Sequence, residues 1–142
     1  MRTKYAIRTA FDAAIKAQAL DCEALGDGIG VRMPDGLSFE PDCMVYCGSR
    51  LADTDQFCPN PMIIVEVLSP STKGIDVTTK LEHYFKLASV RHCLIVDADA
   101  RAVVHHRRTS GETIETRIVR EGQLALDPPG LVVPVLALFA AE

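Results

Sequence analysis

The chain has 142 residues, which predicts one domain of ordinary size with enough apolar material for a core. Hydrophobic residues make up 48% and charged residues 24%, and no apolar run approaches the ~20 residues of a membrane span. The formal net charge of −4 argues against a broadly basic nucleic-acid-binding surface. Because the start of the chain lacks a signal-peptide core, we expect a cytoplasmic protein with no membrane partner.

A helix is expected over residues 4–20, because apolar residues recur there at helical spacing. These residues are Tyr5, Ile7, Phe11, Ala14, Ile15 and Leu20. Two short strands at 31–33 and 37–39 should follow, since the turn signal Pro34-Asp35-Gly36 separates them. A further strand is predicted at CMVYC, residues 43–47, directly after the Pro41-Asp42 pair.

Five cysteines are present, an odd number, and no secretory signal accompanies them. This pattern predicts free thiols in a reducing compartment, where buried cysteines behave as small apolar residues. Cys43 and Cys47 share a face of the predicted strand but lie ~13 Å apart along it, too far to bind one zinc ion.

The segment PMIIVEVLSPST, residues 61–72, is unusual because Glu66 lies inside a continuous apolar run. A run of this length between Pro61 and a polar stretch predicts a strand that is covered on both faces. A carboxylate in such a strand takes a proton or acquires a cation, since burying it ionised and unpaired costs several kcal/mol. Glu66 is therefore a candidate metal ligand.

A second helix is expected after this segment, where Ser71 or Thr72 can cap it. Its apolar stripe comprises Val77, Leu81, Tyr84, Phe85 and Ala88. Lys80 lies at the edge of that stripe, so its ammonium group could reach back to the buried strand. Alternatively, Asp76 holds Lys80 in an exposed ion pair one helical turn away.

The rest of the chain predicts a meander. Two strands lie in HCLIVDADARAVVHHRR around a turn at 97–100, TIETRIVR forms a third, EGQLALD is extended, and PVLALFAA forms a short closing helix. The order of elements predicts an α/β domain with a mixed central sheet.

Asp42 and Glu66, on neighbouring predicted strands, form a pair of hard-oxygen donors suited to Mg²⁺ or Mn²⁺. An ion there would polarise a phosphoryl oxygen and lower the pKa of a bound water, and Lys80 would stabilise the developing charge. This combination favours phosphodiester hydrolysis, although Pro41-Asp42 alone is more typical of a local turn. The four histidines have no partners at metal-ligand spacing, so none is selected as catalytic.

The sequence resembles the Uma2 family of restriction-endonuclease-like proteins over about residues 36–139. The resemblance rests on Pro41-Asp42, on EVLSPST at 66–72, and on the later motifs. These later motifs are Asp76, Lys80, Tyr84, LIVD at 94–97 and PPGLVVPVLALF near the end.

The resemblance implies a PD-(D/E)xK nuclease fold in one domain over 1–142, a mixed sheet flanked by helices. It implies Asp42 and Glu66 as acidic metal ligands and DNA as the substrate. The usual lysine position holds Leu68, so Lys80 from the following helix would replace that lysine.

Members of the family usually carry an N-terminal hairpin that this chain lacks. The absence of the hairpin would leave a sheet edge exposed, and an exposed edge favours a homodimer. Two alternatives stay open: a catalytically inactive nuclease-fold module for binding or assembly, and a small-molecule metallohydrolase with the same carboxylates.

Overall fold

The computed structural model describes residues 2–69 and 75–140, and for residues 75–77 it describes the backbone alone. In chain order the elements are α1 (Arg2–Ala17), β1 (Cys22–Leu25), β2 (Val31–Arg32), β3 (Ser38–Phe39), β4 (Cys43–Cys47), β5 (Ile63–Val67), α2 (Ile75–Tyr84), β6 (His92–Asp97), β7 (Ala102–Arg108), β8 (Ile114–Val119), β9 (Gln123–Leu126), β10 (Leu131–Pro134) and a 3-10 helix (Val135–Leu138). None of the helices in these ranges is long and apolar enough to cross a membrane.

The central sheet has six strands in the order β1-β4-β5-β6-β7-β8. Strands β5 and β6 pair in parallel, and the other neighbours pair antiparallel. A parallel pair needs a crossover connection, and α2 lies in the connection between β5 and β6. The arrangement confirms the predicted α/β fold with a mixed central sheet and flanking helices.

The two faces of the sheet have separate apolar cores. One core joins α1, β9, β10 and the 3-10 helix to the sheet, and it includes Phe11, Val45 and Val65. The other includes Met44, Ile64 and Tyr84, which come from β4, β5 and α2. Because side chains alternate along a strand, β5 is covered on both faces, as its continuous apolar run predicts.

Helix α1 turns a slightly different face to the core than the sequence predicts. Ile7, Phe11, Ala14 and Ile15 are buried, as expected. Tyr5, however, is 76% exposed. Lys4 lies three residues before Ile7, so helical spacing places it on the inward side of the first turn.

The prediction that all five cysteines are free thiols is wrong for two of them, because Cys22 and Cys47 form a disulfide. Strand β1, which the sequence analysis does not predict, pairs with β4 and places Cys22 directly opposite Cys47. The amide of Gly48 donates to the carbonyl of Asp21, so Cys22 and Cys47 occupy the type of antiparallel pair in which side chains approach most closely. The other three, Cys43, Cys58 and Cys93, are free and buried.

Candidate active site

Asp42 and Glu66 face each other across the start of β4 and the end of β5. The ladder pairs Cys43 with Val65, and one step further along it lies the Asp42–Glu66 position. The amide N–H of Asp42 donates to Glu66 Oε1 at 3.1 Å, and the amide N–H of Val67 donates to Asp42 Oδ2 at 2.7 Å. The two carboxylates are thus held at one end of the sheet by reciprocal bonds to the neighbouring backbone.

Two lysines, one from each helix, neutralise this pair of acids. Lys4 of α1 places its Nζ 2.9 Å from Asp42 Oδ1, and Lys80 of α2 places its Nζ 3.0 Å from Glu66 Oε2. Lys4 also contacts Asp27 at 3.3 Å. Like charges directly opposite each other in a sheet repel, so these ammonium groups offset the cost of placing both carboxylates here.

Glu66 is the more buried of the two acids, with 7% of its surface exposed. The Tyr84 hydroxyl donates to Glu66 Oε2 at 3.2 Å, in addition to the Lys80 contact. Burial raises the pKa of Glu66, and the hydrogen bond and charge of Lys80 partly oppose that rise. Burial and the neighbouring Glu66 also raise the pKa of Tyr84, which keeps the phenol protonated as a donor.

The structure brings together the three residues that the sequence analysis selects, Asp42, Glu66 and Lys80. Leu68 contributes its amide to the carbonyl of Val96 at 2.8 Å, and it continues the pairing of β5 with β6. The predicted caps Ser71 and Thr72 lie outside the described residues. The Asp76 side chain also lies outside them, so the suggested Asp76–Lys80 pair stays a prediction.

Lys4 is the site residue that the sequence analysis misses. Its hydrogen bond to Asp42 is the main cause that raises its pKa, and the charge of Asp42 and the contact with Asp27 add to the effect. A signal for it exists in the sequence, since positions 4, 7 and 11 lie on one helix face and Ile7 and Phe11 are buried. A lysine on that stripe, at the end of a helix, indicates a charged partner at the rim of the core.

A cation-binding role for the two acids fits the chemistry of the donors. Each carboxylate has a lysine ammonium group within 3.0 Å, in a position that a cation can occupy. Carboxylate oxygens are also the donors that Mg²⁺ and Mn²⁺ prefer. Across the part of the chain that the structure describes, no cluster of three or more His, Cys, Asp or Glu residues could hold a metal ion. The protein would therefore supply Asp42 and Glu66, and water or substrate would complete the shell, as is usual for Mg²⁺.

A second buried polar group lies away from this site, between β6, β7 and the chain near Pro128. His92 Nε2 lies 2.9 Å from the Pro128 carbonyl oxygen, which can only accept, so this nitrogen carries the proton. His92 Nδ1 then accepts from His105 Nε2 at 2.9 Å. Burial lowers the pKa of each histidine to about 4, so both are neutral at pH 7.

Comparison with known proteins finds a matching family and a relative. The model of the family Uma2, described as "Putative restriction endonuclease", matches residues 3–137. The uncharacterized protein slr1290 of Synechocystis sp. is 26% identical over 121 residues, which are 84% of this chain and 64% of that protein. This chain therefore spans slightly less than two thirds of that relative's length.

A solved structure shares the fold. The crystal structure of a protein from Anabaena variabilis, described as a "putative nuclease belonging to DUF820", superposes with a TM-score of 0.75. The match covers 97% of this chain and 78% of that one, at 20% sequence identity. Two chains so different in sequence but so similar in structure have the same arrangement of strands and helices.

Proposed function

This chain belongs to the Uma2 family of restriction-endonuclease-like proteins, and we propose on that premise that it is a metal-dependent nuclease that hydrolyses phosphodiester bonds in DNA. The observation that supports the proposal is the pair of opposed carboxylates, Asp42 and Glu66, with an ammonium group on each. A buried acid with a raised pKa beside a second acid and a lysine is typical of a catalytic site.

In this proposal Asp42 and Glu66 would hold one Mg²⁺ or Mn²⁺ ion, which would supply charge stabilisation at the phosphoryl group and would make the attacking water more acidic. Lys80 and Lys4 leave the carboxylates and donate to the phosphate oxygens, where negative charge increases during hydrolysis. Tyr84 keeps its hydroxyl on Glu66 and orients that carboxylate.

The test is cleavage of plasmid and short duplex DNA with Mg²⁺ or Mn²⁺. We expect cleavage by the wild type and its loss in Asp42→Asn and in Glu66→Gln, which keep side-chain size but remove the charge. Asp27→Asn is a matched control, because Asp27 shares Lys4 with Asp42 and is well exposed. Unchanged cleavage in the Asp42 and Glu66 variants would contradict the assignment.

One observation favours a second candidate, a catalytically inactive nuclease-fold module for binding or assembly. Both acids have a lysine and backbone N–H donors as partners, so their charges are balanced within the chain. Calorimetry with Mn²⁺ separates the two candidates without an activity assay. The nuclease proposal expects binding that Glu66→Gln abolishes and Asp27→Asn preserves, whereas the inactive module expects no binding in any of the three proteins.

A further inference from the structure

Strand β8 is six residues long and forms one edge of the central sheet. Its inner side pairs with β7, and no other segment in 2–69 or 75–140 pairs with its backbone. Thr116, Arg117 and Ile118 are exposed, and Ile118 is 65% exposed. Long open edges with exposed apolar side chains are where sheets recruit further strands.

The alternation of hydrogen bonds between β8 and β7 determines which backbone groups of β8 are free to pair with a further strand. The amide of Thr109 donates to the carbonyl of Thr113 at 3.0 Å, so this pair is of the hydrogen-bonded type. Because the two types alternate along an antiparallel ladder, Glu115 and Arg117 bond to β7. The residues whose N–H and C=O groups point outward are Ile114, Thr116 and Ile118.

The sequence of the strand, Ile-Glu-Thr-Arg-Ile over 114–118, is complementary to itself in reverse. In an antiparallel pair of two β8 strands with Thr116 opposite Thr116, each Glu115 faces Arg117 of the second copy. Ile114 then faces Ile118, and the three outward-pointing residues occupy hydrogen-bonded positions. Glu115 and Arg117, which contact each other at 3.2 Å within one chain, occupy the closer, non-hydrogen-bonded positions, where side chains of the two copies interact most strongly.

The neighbouring registers are disfavoured by charge. A shift of two residues in one direction places Glu115 opposite Glu115 of the second copy, and a shift in the other places Arg117 opposite Arg117. Like charges directly opposite are destabilising, and a shift of one residue would turn the outward groups away from each other. The charges therefore select one register among those that the backbone permits.

We propose that β8 is a self-association surface, which pairs antiparallel with β8 of a second copy of this chain about a two-fold axis at Thr116. The central sheet then runs continuously through both copies, and the edge is covered. The dimer is isologous, so each charge pair occurs twice.

Charge reversal tests the proposal by sedimentation velocity. Glu115→Arg alone places two cations in opposition, and Arg117→Glu alone places two acids in opposition, so each variant should raise the dimer dissociation constant by about tenfold or more. An equimolar mixture of the two variants restores attractive pairs and should form heterodimers. Thr116→Pro should also weaken the dimer, because its N–H points outward and β7 does not use it.

Asp53→Arg is the matched control, since Asp53 is exposed in the loop between β4 and β5 and should leave the dimer unchanged. Circular dichroism of each variant verifies that it folds. A wild type that stays monomeric at sub-millimolar concentration overturns the proposal. It is equally overturned by a dimer that both charge reversals leave intact, or by a mixture of the two that stays monomeric.

Discussion

Glu66 combines burial, an ammonium partner, a phenol donor and a backbone amide donor within one carboxylate. Its pKa is raised because burial outweighs the contribution of Lys80. Asp42, by contrast, has Lys4 and the Val67 amide as partners and lies nearer to solvent. The loss of a lysine should therefore cost more at Glu66 than at Asp42.

We predict that Lys80→Met lowers the free energy of unfolding at pH 7 by about 1–3 kcal/mol, more than Lys4→Met does. A raised pKa means that folded Glu66 binds a proton more readily than unfolded Glu66. Protonation of Glu66 therefore stabilises the folded state at low pH, and this stabilisation is lost as pH rises. The loss of unfolding free energy in Lys80→Met should therefore be smaller at pH 5, because protonation of Glu66 removes the charge that Lys80 pairs with. Urea unfolding of both variants at the two pH values measures it, and an equal deficit at both would contradict the explanation.

At the scale of elements, one arginine joins the segment that follows α2 to the sheet. Arg108 of β7 donates through Nη2 to the carbonyls of Phe85 and Leu87, at 2.7 and 3.1 Å, and through Nε to Val90 at 3.0 Å. These carbonyls lie between the end of α2 and the start of β6, and a planar guanidinium donates to all three at once. Arg108 thus positions the helix that supplies Lys80 and Tyr84.

Arg108→Met should destabilise the protein by about 2–3 kcal/mol, because the carbonyls of Phe85 and Val90 lose their donor, whereas that of Leu87 keeps the amide of Val90. Arg108→Lys keeps the charge but not the fork of donors, so it should recover less than half of that loss. Thermal unfolding and Mn²⁺ titration of both variants check the two consequences, stability and site geometry. A lysine variant as stable as the wild type would show that charge alone accounts for the contact.

Periodicity in the sequence predicts most elements, but it does not reveal which residues meet. The buried strand β5, the helix after it and the β6–β7 hairpin follow from apolar patterns. Strands β1 and β10 escape prediction, because apolar and polar residues do not alternate regularly in CEAL or in LVVP. Without β1, the pairing of Cys22 with Cys47 cannot be foreseen.

The candidate site is also predictable from the sequence only in part. Glu66 is conspicuous because a charge interrupts an apolar run, and Lys80 because it borders an apolar stripe. Lys4 is hidden by Tyr5, whose aromatic ring suggests an apolar face one residue away from the real one. The proposed roles of Asp42, Glu66 and Lys80 in catalysis stay predictions.

At the scale of the whole molecule, the buried His92–His105 pair links stability to pH. The pKa of each is lowered to about 4 by burial, while the ordinary value is 6.5. Between these values the unfolded chain binds more protons than the folded one, so stability is present above the ordinary value and is lost as pH falls. The raised pKa of Glu66 acts in the opposite direction.

We predict that the free energy of unfolding falls by up to about 1.4 kcal/mol per pH unit for each histidine between pH 6.5 and 4. His105→Gln keeps a donor for His92 but cannot titrate, so the slope should fall by about half. Urea unfolding at intervals of pH in this range measures both slopes. An unchanged slope in the variant would show that other groups control the acid sensitivity.

The disulfide between Cys22 and Cys47 closes a covalent ring across a sequence separation of 25 residues. That ring contains Asp27 and Asp42, the two acids that Lys4 contacts. Ring closure restricts the conformations of the unfolded chain. Samples prepared with and without a thiol reductant are therefore different covalent species, and each unfolding or ion-binding measurement has to be compared within one of them.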